Sequence, residues 1–306
     1  AVTTYNAGKL ALFSAPRGQL QTRAWKFPRP MGLAARGNAL AIAARQHIAL
    51  FRSSPASESG AATTYALDQL FETGRLNAHD LAFAGDRLYF ANTRYNCLAR
   101  PSDRVRFLRS WQPPFISRMI GKDCCHLNGV GVQNRRPAMM TAFAEIDRPR
   151  GWRELDRFQS GVVIDVRRNA IVARGLNMPH SPRWHAGRWW ICESGAGVVA
   201  TLDPTSGTCD EVAALPGFTR GLCFVGAAAL VGTSRIRPEH ILDSPPLRGR
   251  SHSARAGVSL VDASTGSPRG ALEFRQGGSE VFEVAFLPGV TDGDFAYRAD
   301  QCRKAT

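Results

Sequence analysis

Seven residues of this 306-residue chain have the types to do chemistry together: His79, His126, His180, Glu280, Arg220, Asn128 and Glu193. Three neutral imidazoles and a carboxylate brought to one point could hold a divalent transition metal such as Zn, Fe or Cu and leave a coordination position open for substrate. On that reading His79, His126, His180 and Glu280 are the expected ligands. The competing reading is structural, because polar side chains can equally satisfy backbone carbonyls and water in a channel. An arginine such as Arg220, once drawn out of bulk water, requires an anion. Glu280 or Glu193 could supply it, and so could the carboxylate or phosphate of a ligand. Arg220, Glu193 and Asn128 are therefore the candidate catalytic groups. Asp80, beside His79, is expected to bond backbone, and His185, before the turn AGR, to sit exposed. No serine elbow, P-loop or dinucleotide fingerprint is present.

These residues are far apart in sequence, so something regular must gather them. A unit recurs: a short strand, a tight turn with Gly, Asn or Arg, and a second apolar strand. It reads MGLAARGNALAIAAR from Met31, HDLAFAGDRLYFANT from His79, NGVGVQNRRPAMMTA from Asn128, HSPRWHAGRWWICES from His180 and RGLCFVGAAALVGTS from Arg220, with a sixth opening, FEVAFLPG, from Phe282. The starts lie 48, 49, 52, 40 and 62 residues apart, bracketing the blade spacing of a β-propeller. Two further strand-like runs joined by turns such as DPTSG and DASTG follow each hairpin. The pattern predicts an all-β chain, residues 1–306 forming a single six-bladed propeller. In the last blade FAYR at 295–298 is the expected second strand, and GKLALFS and QLQTRAWKF from the N-terminal region the third and fourth. That arrangement closes the ring without free edges.

In a propeller the first strand of each blade lies nearest the axis. The openings therefore place Met31, His79, Asn128, His180, Arg220 and Phe282 at one mouth of the channel. Two residues earlier, on the same side of an extended chain, stand Arg29, Asn77, His126, Met178, Phe218 and Glu280. Arg29 is expected on the solvated rim. The second strand returns thirteen residues on with Ala44, Asn92, Thr141, Glu193 and Thr233. The long connections 144–160 and 235–256 are expected to overhang this mouth, the latter as a candidate lid, and Trp184 to anchor its blade between sheets.

The formal charge of +14 raises the question of a polyanionic partner. Nearly all of it is arginine spread along the chain and interleaved with acids, without zinc-finger spacing, an RNP motif or a basic helix, which argues against nucleic acid. The seven cysteines have irregular spacing and no CxxC pairs. They point away from a disulfide framework and toward a reducing, cytoplasmic compartment. Cys97 and Cys125 could form a thiol pair, lend a ligand beside His126, or simply pack. No apolar run reaches membrane-spanning length.

The segments TTYNAGKL, FPRPMGLA, HDLAF, WQPPFIS, CHLNG, GLNMPHSPRWH, LPGFTRGL and EVFEVAFLPG together resemble a family of bacterial proteins known only as a conserved domain of unknown function. The resemblance covers nearly the whole chain and implies a propeller-like fold. It places His79, Asp80, Cys97, Cys125, His126, Asn128, His180, His185, Arg220 and Glu280 in the family pattern and brings no activity. Cys124 departs from the charged residue expected before CHLNG. A looser similarity runs to gluconolactonase and senescence-marker propellers, whose channel mouth binds a divalent metal. The expected function is action on a small molecule or peptide at the mouth, by metal-assisted hydrolysis, lyase or redox chemistry. The alternative is a non-catalytic module that captures an anionic ligand or a protein partner.

Overall fold

The computed structural model describes residues 1–54, 62–235, 247, 253–276 and 278–296. Among these, the strands form six sheets, antiparallel but for one added outer strand, around a central axis, a six-bladed β-propeller. The inner strands are Leu33–Arg36, Ala78–Ala84, Leu127–Gln133, Pro179–His185, Phe218–Val225 and Val281–Val284, each within two residues of its repeat start. They define blades 1 to 6. Neighbouring inner strands touch around the ring. The space between adjacent blades holds six apolar clusters, for instance Leu81, Phe90 and Cys97 between blades 1 and 2, and Trp189, Ile191 and Met139 between blades 3 and 4. Every blade is thus apolar on both faces, as a sheet covered on both sides must be.

The ring closes at blade 6. There Val281–Val284 pairs with Val2–Thr4, which pairs with Lys9–Ser14 and then Gln21–Lys26. The second strand is therefore Val2–Thr4, and the expected assignment of FAYR to that place is corrected. Gly293–Ala296 instead runs parallel to Thr63–Glu72 as a fifth, outer strand of blade 1. Phe295 fixes it there, stacked on Tyr65 at 5.1 Å and edge-on to Phe51 at 5.4 Å. The rest of FAYR, Cys302 and most of the 235–256 connection lie outside the described residues.

Hydroxyls tie successive blades. Thr93 donates to Leu127 O, Ser194 to Thr219 O, Ser234 to Val281 O and Thr3 to Met31 O. Thr93, Ser194 and Ser234 all occupy the last position of the fifteen-residue repeat.

The axis is plugged by a residue that the repeat pattern does not single out. Arg183 of blade 4 donates two hydrogen bonds to Asp80 of blade 2, at 3.0 and 3.1 Å, and one to Glu283 of blade 6 at 3.1 Å. Its remaining N–H groups reach the carbonyls of Val130 in blade 3 and Leu222 in blade 5. Asp80 also accepts from Val130 N, and Glu283 from Leu222 N and Val284 N. Burial opposes the charge on Arg183, but the two carboxylates raise its pKa above the ordinary value. Burial also pushes the Glu283 carboxyl up to about 8, against the pull of Arg183 and with repulsion from Asp80 helping it.

Two aromatic expectations are corrected. Trp184 is 38% exposed, and Trp189, its partner across the hairpin, is the buried anchor at 2%. His185 is half-buried and stacked on Phe224 of blade 5 at 4.0 Å. Six cysteines are free thiols, with Cys97 and Cys125 packed in different interblade clusters. Burial raises the Cys97 pKa to about 12 and that of Cys125 well above its ordinary value.

Removing Arg183 strands two buried carboxylates, so Arg183→Met is expected to cost roughly 3–5 kcal/mol in chemical denaturation. Because the folded pKa of Glu283 lies above its unfolded value of 4.5, its contribution is complete at low pH and is lost as pH rises through about 8. Melting temperature should therefore fall over that window. Glu283→Gln, which keeps an acceptor oxygen for Leu222 and Val284 but cannot ionise, should flatten the decline; an unchanged slope would remove Glu283 as its source. Trp189→Ala should cost roughly 3–5 kcal/mol, and Trp184→Ala much less.

Candidate functional site

At the end of each inner strand where the chain enters, the backbone does something regular. Arg29, Asn77, His126 and Met178, each two residues before a repeat start, all have left-handed backbone, with φ between 49° and 53°. Asn accepts this conformation readily, whereas for the other three it is disfavoured, and such conformations cluster at functional sites. In blades 2 to 4 the residue that follows begins the inner strand. In blades 2 to 6 the inner pairing then shifts register by one residue beside the repeat start. A bulge of this kind re-aims side chains. It lets consecutive residues, His79 with Asp80 and Phe282 with Glu283, serve the mouth and the axial plug respectively.

The result is a cavity of about 360 Å³ at the channel mouth. Five of the six repeat starts line it, namely Met31, His79, His180, Arg220 and Phe282. So do five of the residues two positions earlier, Asn77, His126, Met178, Phe218 and Glu280. Arg29 does not; its guanidinium lies over Tyr5, 5.8 Å from the ring centroid. The 144–160 connection supplies Trp152, Arg153, Arg157 and Phe158 to the wall, and Arg235 follows blade 5. Trp152 and Phe143, with His126 between them at 4.4 Å from each ring, are the contribution that repeat reasoning missed. For Trp152 the signal was present in the length and aromatic content of that connection, which Phe143 immediately precedes.

The three histidines adjoin, with centroids 5.3 Å apart for His79–His126 and for His79–His180. Each commits one ring nitrogen to the protein. His79 bonds the backbone of Asn128, and His126 Nδ1 bonds Asp123 at 3.1 Å. His180 Nδ1 lies 3.0 Å from Met178 O and 2.8 Å from Ser194 Oγ. Since Ser194 spends its own proton on Thr219 O, its oxygen accepts, and His180 must carry its proton on Nδ1. Nε2 of His180 is then an unprotonated acceptor, buried and without a partner among the described residues. Burial, and then the positive charge of Arg220, hold the His180 pKa well below its ordinary value; His79 is shifted the same way by burial, its neighbouring histidines and Arg220. Both rings are therefore neutral near pH 7.

Arg220 bonds Glu280 and Val281 O at 3.1 and 3.2 Å and lies over the Phe282 ring at 3.8 Å. Of the expected metal ligands all four line the cavity, but Glu280 is paired with Arg220. Among the described residues no group of three or more His, Cys, Asp or Glu is disposed to hold a metal ion. Two expected catalytic residues are off the wall. Asn128 lies buried beneath it, accepting from Thr141 Oγ1 at 2.6 Å, and Glu193 accepts from Asn177 N at 2.9 Å. The Trp152 indole N–H, buried at the cavity, has no partner among the described residues. Among the described residues the wall thus offers, at buried positions, a donor at Trp152 and an acceptor at His180 that are without partners.

Solved structures share the fold. A gluconolactonase from Xanthomonas campestris is 13% identical with a TM-score of 0.57, the match covering 94% of this chain and 88% of that one. A chain of a nidogen/laminin complex is 10% identical, TM-score 0.56, over 92% and 95%. A protein of unknown function from Bacteroides caccae is 9% identical, TM-score 0.56, over 92% and 96%. At these identities the likeness is one of fold. No curated protein sequence matches significantly. No helix among the described residues is long and apolar enough to cross a membrane. A family model does match, over residues 1–294, and on it the chain belongs to the family described as Domain of unknown function (DUF4915).

Proposed function

We propose that the channel mouth binds a small molecule and carries out acid–base chemistry on it, with His180 as the general base. One observation carries this reading. A neutral imidazole is held in a fixed tautomer by Met178 O and Ser194 Oγ, and its other nitrogen is buried without a partner among the described residues. A buried acceptor without a partner costs stability, and a buried polar group left unpaired in a cavity wall is accounted for by a ligand that completes it. Arg220 and the Trp152 N–H are placed on the same wall to stabilise charge that develops when His180 takes a proton. That a gluconolactonase is built on the same fold supports the reading, since the scaffold accommodates an enzyme of that type. The rigid surroundings of His180 suit it to catalysis, because position and tautomer are set before any ligand arrives.

A thermal-shift screen of small organic acids, alcohols, sugars and lactones, with each hit followed by proton NMR for turnover, tests the proposal. Wild type is expected to convert at least one hit. His180→Gln should lower that rate by roughly 10²–10⁴-fold, the usual worth of a positioned base, while melting within a few degrees of wild type. Equal turnover in the variant would remove His180 from the chemistry. Tight binding without conversion in wild type would leave the mouth as a capture site for an anionic ligand.

A further inference from the structure

The composition of the wall narrows the ligand. Four arginines, Arg153, Arg157, Arg220 and Arg235, border the cavity, against one carboxylate, Glu280. Glu280 is already bonded to Arg220. His79 and His180 do not alter the balance, because burial keeps them uncharged, and His126 adds no negative charge. Arg153 and Arg235 are exposed at the rim, and neither has an acidic partner among the described residues. Arg153 rests over the Trp152 ring at 4.4 Å, which stiffens it over the entrance. The sign of the field in the cavity is therefore positive.

Much of the remainder of the wall is aromatic, beside Met31, Met178, Asn77 and two serines. Phe143, Trp152, Phe158, Phe218 and Phe282 face the same space, a lining that suits a flat apolar body. Deeper in, the two unused polar atoms are complementary to each other: His180 Nε2 requires a donor, and Trp152 Nε1 an acceptor. A hydroxyl carries both functions, a proton for the one and lone pairs for the other.

Resting on the reading of the mouth as a small-molecule site, we propose that its ligand is an organic anion with a flat ring: a carboxylate or phosphate group faces the rim arginines, and a hydroxyl on the ring reaches His180. Carboxylate and phosphate share the anionic oxygens that guanidinium groups recognise, and separate probes distinguish them.

Calorimetric titration of the purified chain tests this with 4-hydroxybenzoate, 4-hydroxyphenyl phosphate, benzoate, neutral 4-hydroxybenzyl alcohol, cationic tyramine and inorganic phosphate. At least one of the two hydroxylated ring anions should bind 10-fold or more tightly than the neutral alcohol, with tyramine weakest and added salt reducing the difference. Benzoate should bind more weakly than 4-hydroxybenzoate, and His180→Gln should narrow that gap. The double variant Arg153→Gln/Arg235→Gln should lose the preference for anions with its melting temperature unchanged, whereas Arg188→Gln, outside the cavity, should keep it. Neutral or cationic rings binding as tightly as the anions would overturn the charge assignment and leave the mouth as a small-molecule site. Inorganic phosphate binding as tightly as the ring anions would overturn the ring. Should no probe of any charge bind while the screen above finds a ligand of another shape, this ligand class is wrong and the site stands; should neither experiment find a ligand, both readings fall.

Discussion

Six sheets converging on an axis leave a core too narrow to fill with apolar side chains and lined with backbone groups that need partners. The Arg183 guanidinium resolves this, and the rest of the molecule is arranged around it. Its planar fork reaches groups from blades 2, 3, 5 and 6 while being anchored in blade 4. Only arginine combines a fixed charge with five donors in one plane. The desolvation this entails is offset because Asp80 and Glu283 are themselves satisfied by the backbone N–H groups of Val130, Leu222 and Val284. Burial raises the pKa of Glu283, and the second negative charge, on Asp80, adds to the rise. The inner cluster approaches neutrality by holding a proton that a solvated glutamate would release.

The plug depends on a size alternation around the axis. At the second position of the repeat the residues run Gly32, Asp80, Gly129, Ser181, Gly221 and Glu283. Polar side chains from blades 2, 4 and 6 alternate with glycine in blades 1, 3 and 5. The glycines are required by contact: a Cβ on Gly129 would stand 2.5 Å from Pro182 of the next blade, and one on Gly221 would stand 2.8 Å from Val284 N, where the backbone is also left-handed at φ 81°. Asp80 and Ser181 each reach the strand beyond, accepting from Val130 N and Gly221 N, while Glu283 reaches back to Leu222 N of blade 5. Because the plug uses the second position, the first position is released from structural duty. His79 and His180 are thereby free to line a cavity.

The architecture was legible in the sequence because propeller blades are local units. Repeat spacing and hydrophobic alternation mark every inner strand to within two residues, and the pairing of N-terminal strands with the C-terminal blade follows from arithmetic on what remained. Gathering of the repeat-start residues at one mouth was legible for the same reason, although Asn128 and Glu193 fall behind the wall. Non-local pairings were not legible. Gly293–Ala296 has the pattern of a strand, but nothing in that pattern names the edge of blade 1 as its partner. The bulges were hidden because they recur at the same place in blades 2 to 6, so the repeats align without a gap and an extra residue leaves no trace. Strict alternation sends the second position away from the axis, and the bulge returns it. Arg183 was overlooked because it appears in only one blade, whereas repeat reasoning favours columns.

Closing the axis with a neutralised cluster also shapes the chemistry open to the mouth. Arg183 is electrostatically spent on Asp80 and Glu283, so the positive charge beside the cavity comes from Arg220 on the wall and from Arg153 and Arg235 at the rim. That charge weakens His180 as a base, since protonating it beside Arg220 places two cations together. The same charge strengthens the acidity of any hydroxyl bound against it, because the conjugate anion is stabilised by the field that disfavours the imidazolium. The two shifts oppose one another at the moment of transfer: the proton is harder for His180 to keep and easier for the ligand to give up. A base of lowered affinity facing an acid made stronger by the site leaves the cost of the transfer near that of the same pair in water, and a proton so weakly held is readily passed on. On the proposed reading, the histidine and the arginine are two halves of one device, and neither would be useful at this mouth without the dry, closed axis beneath them.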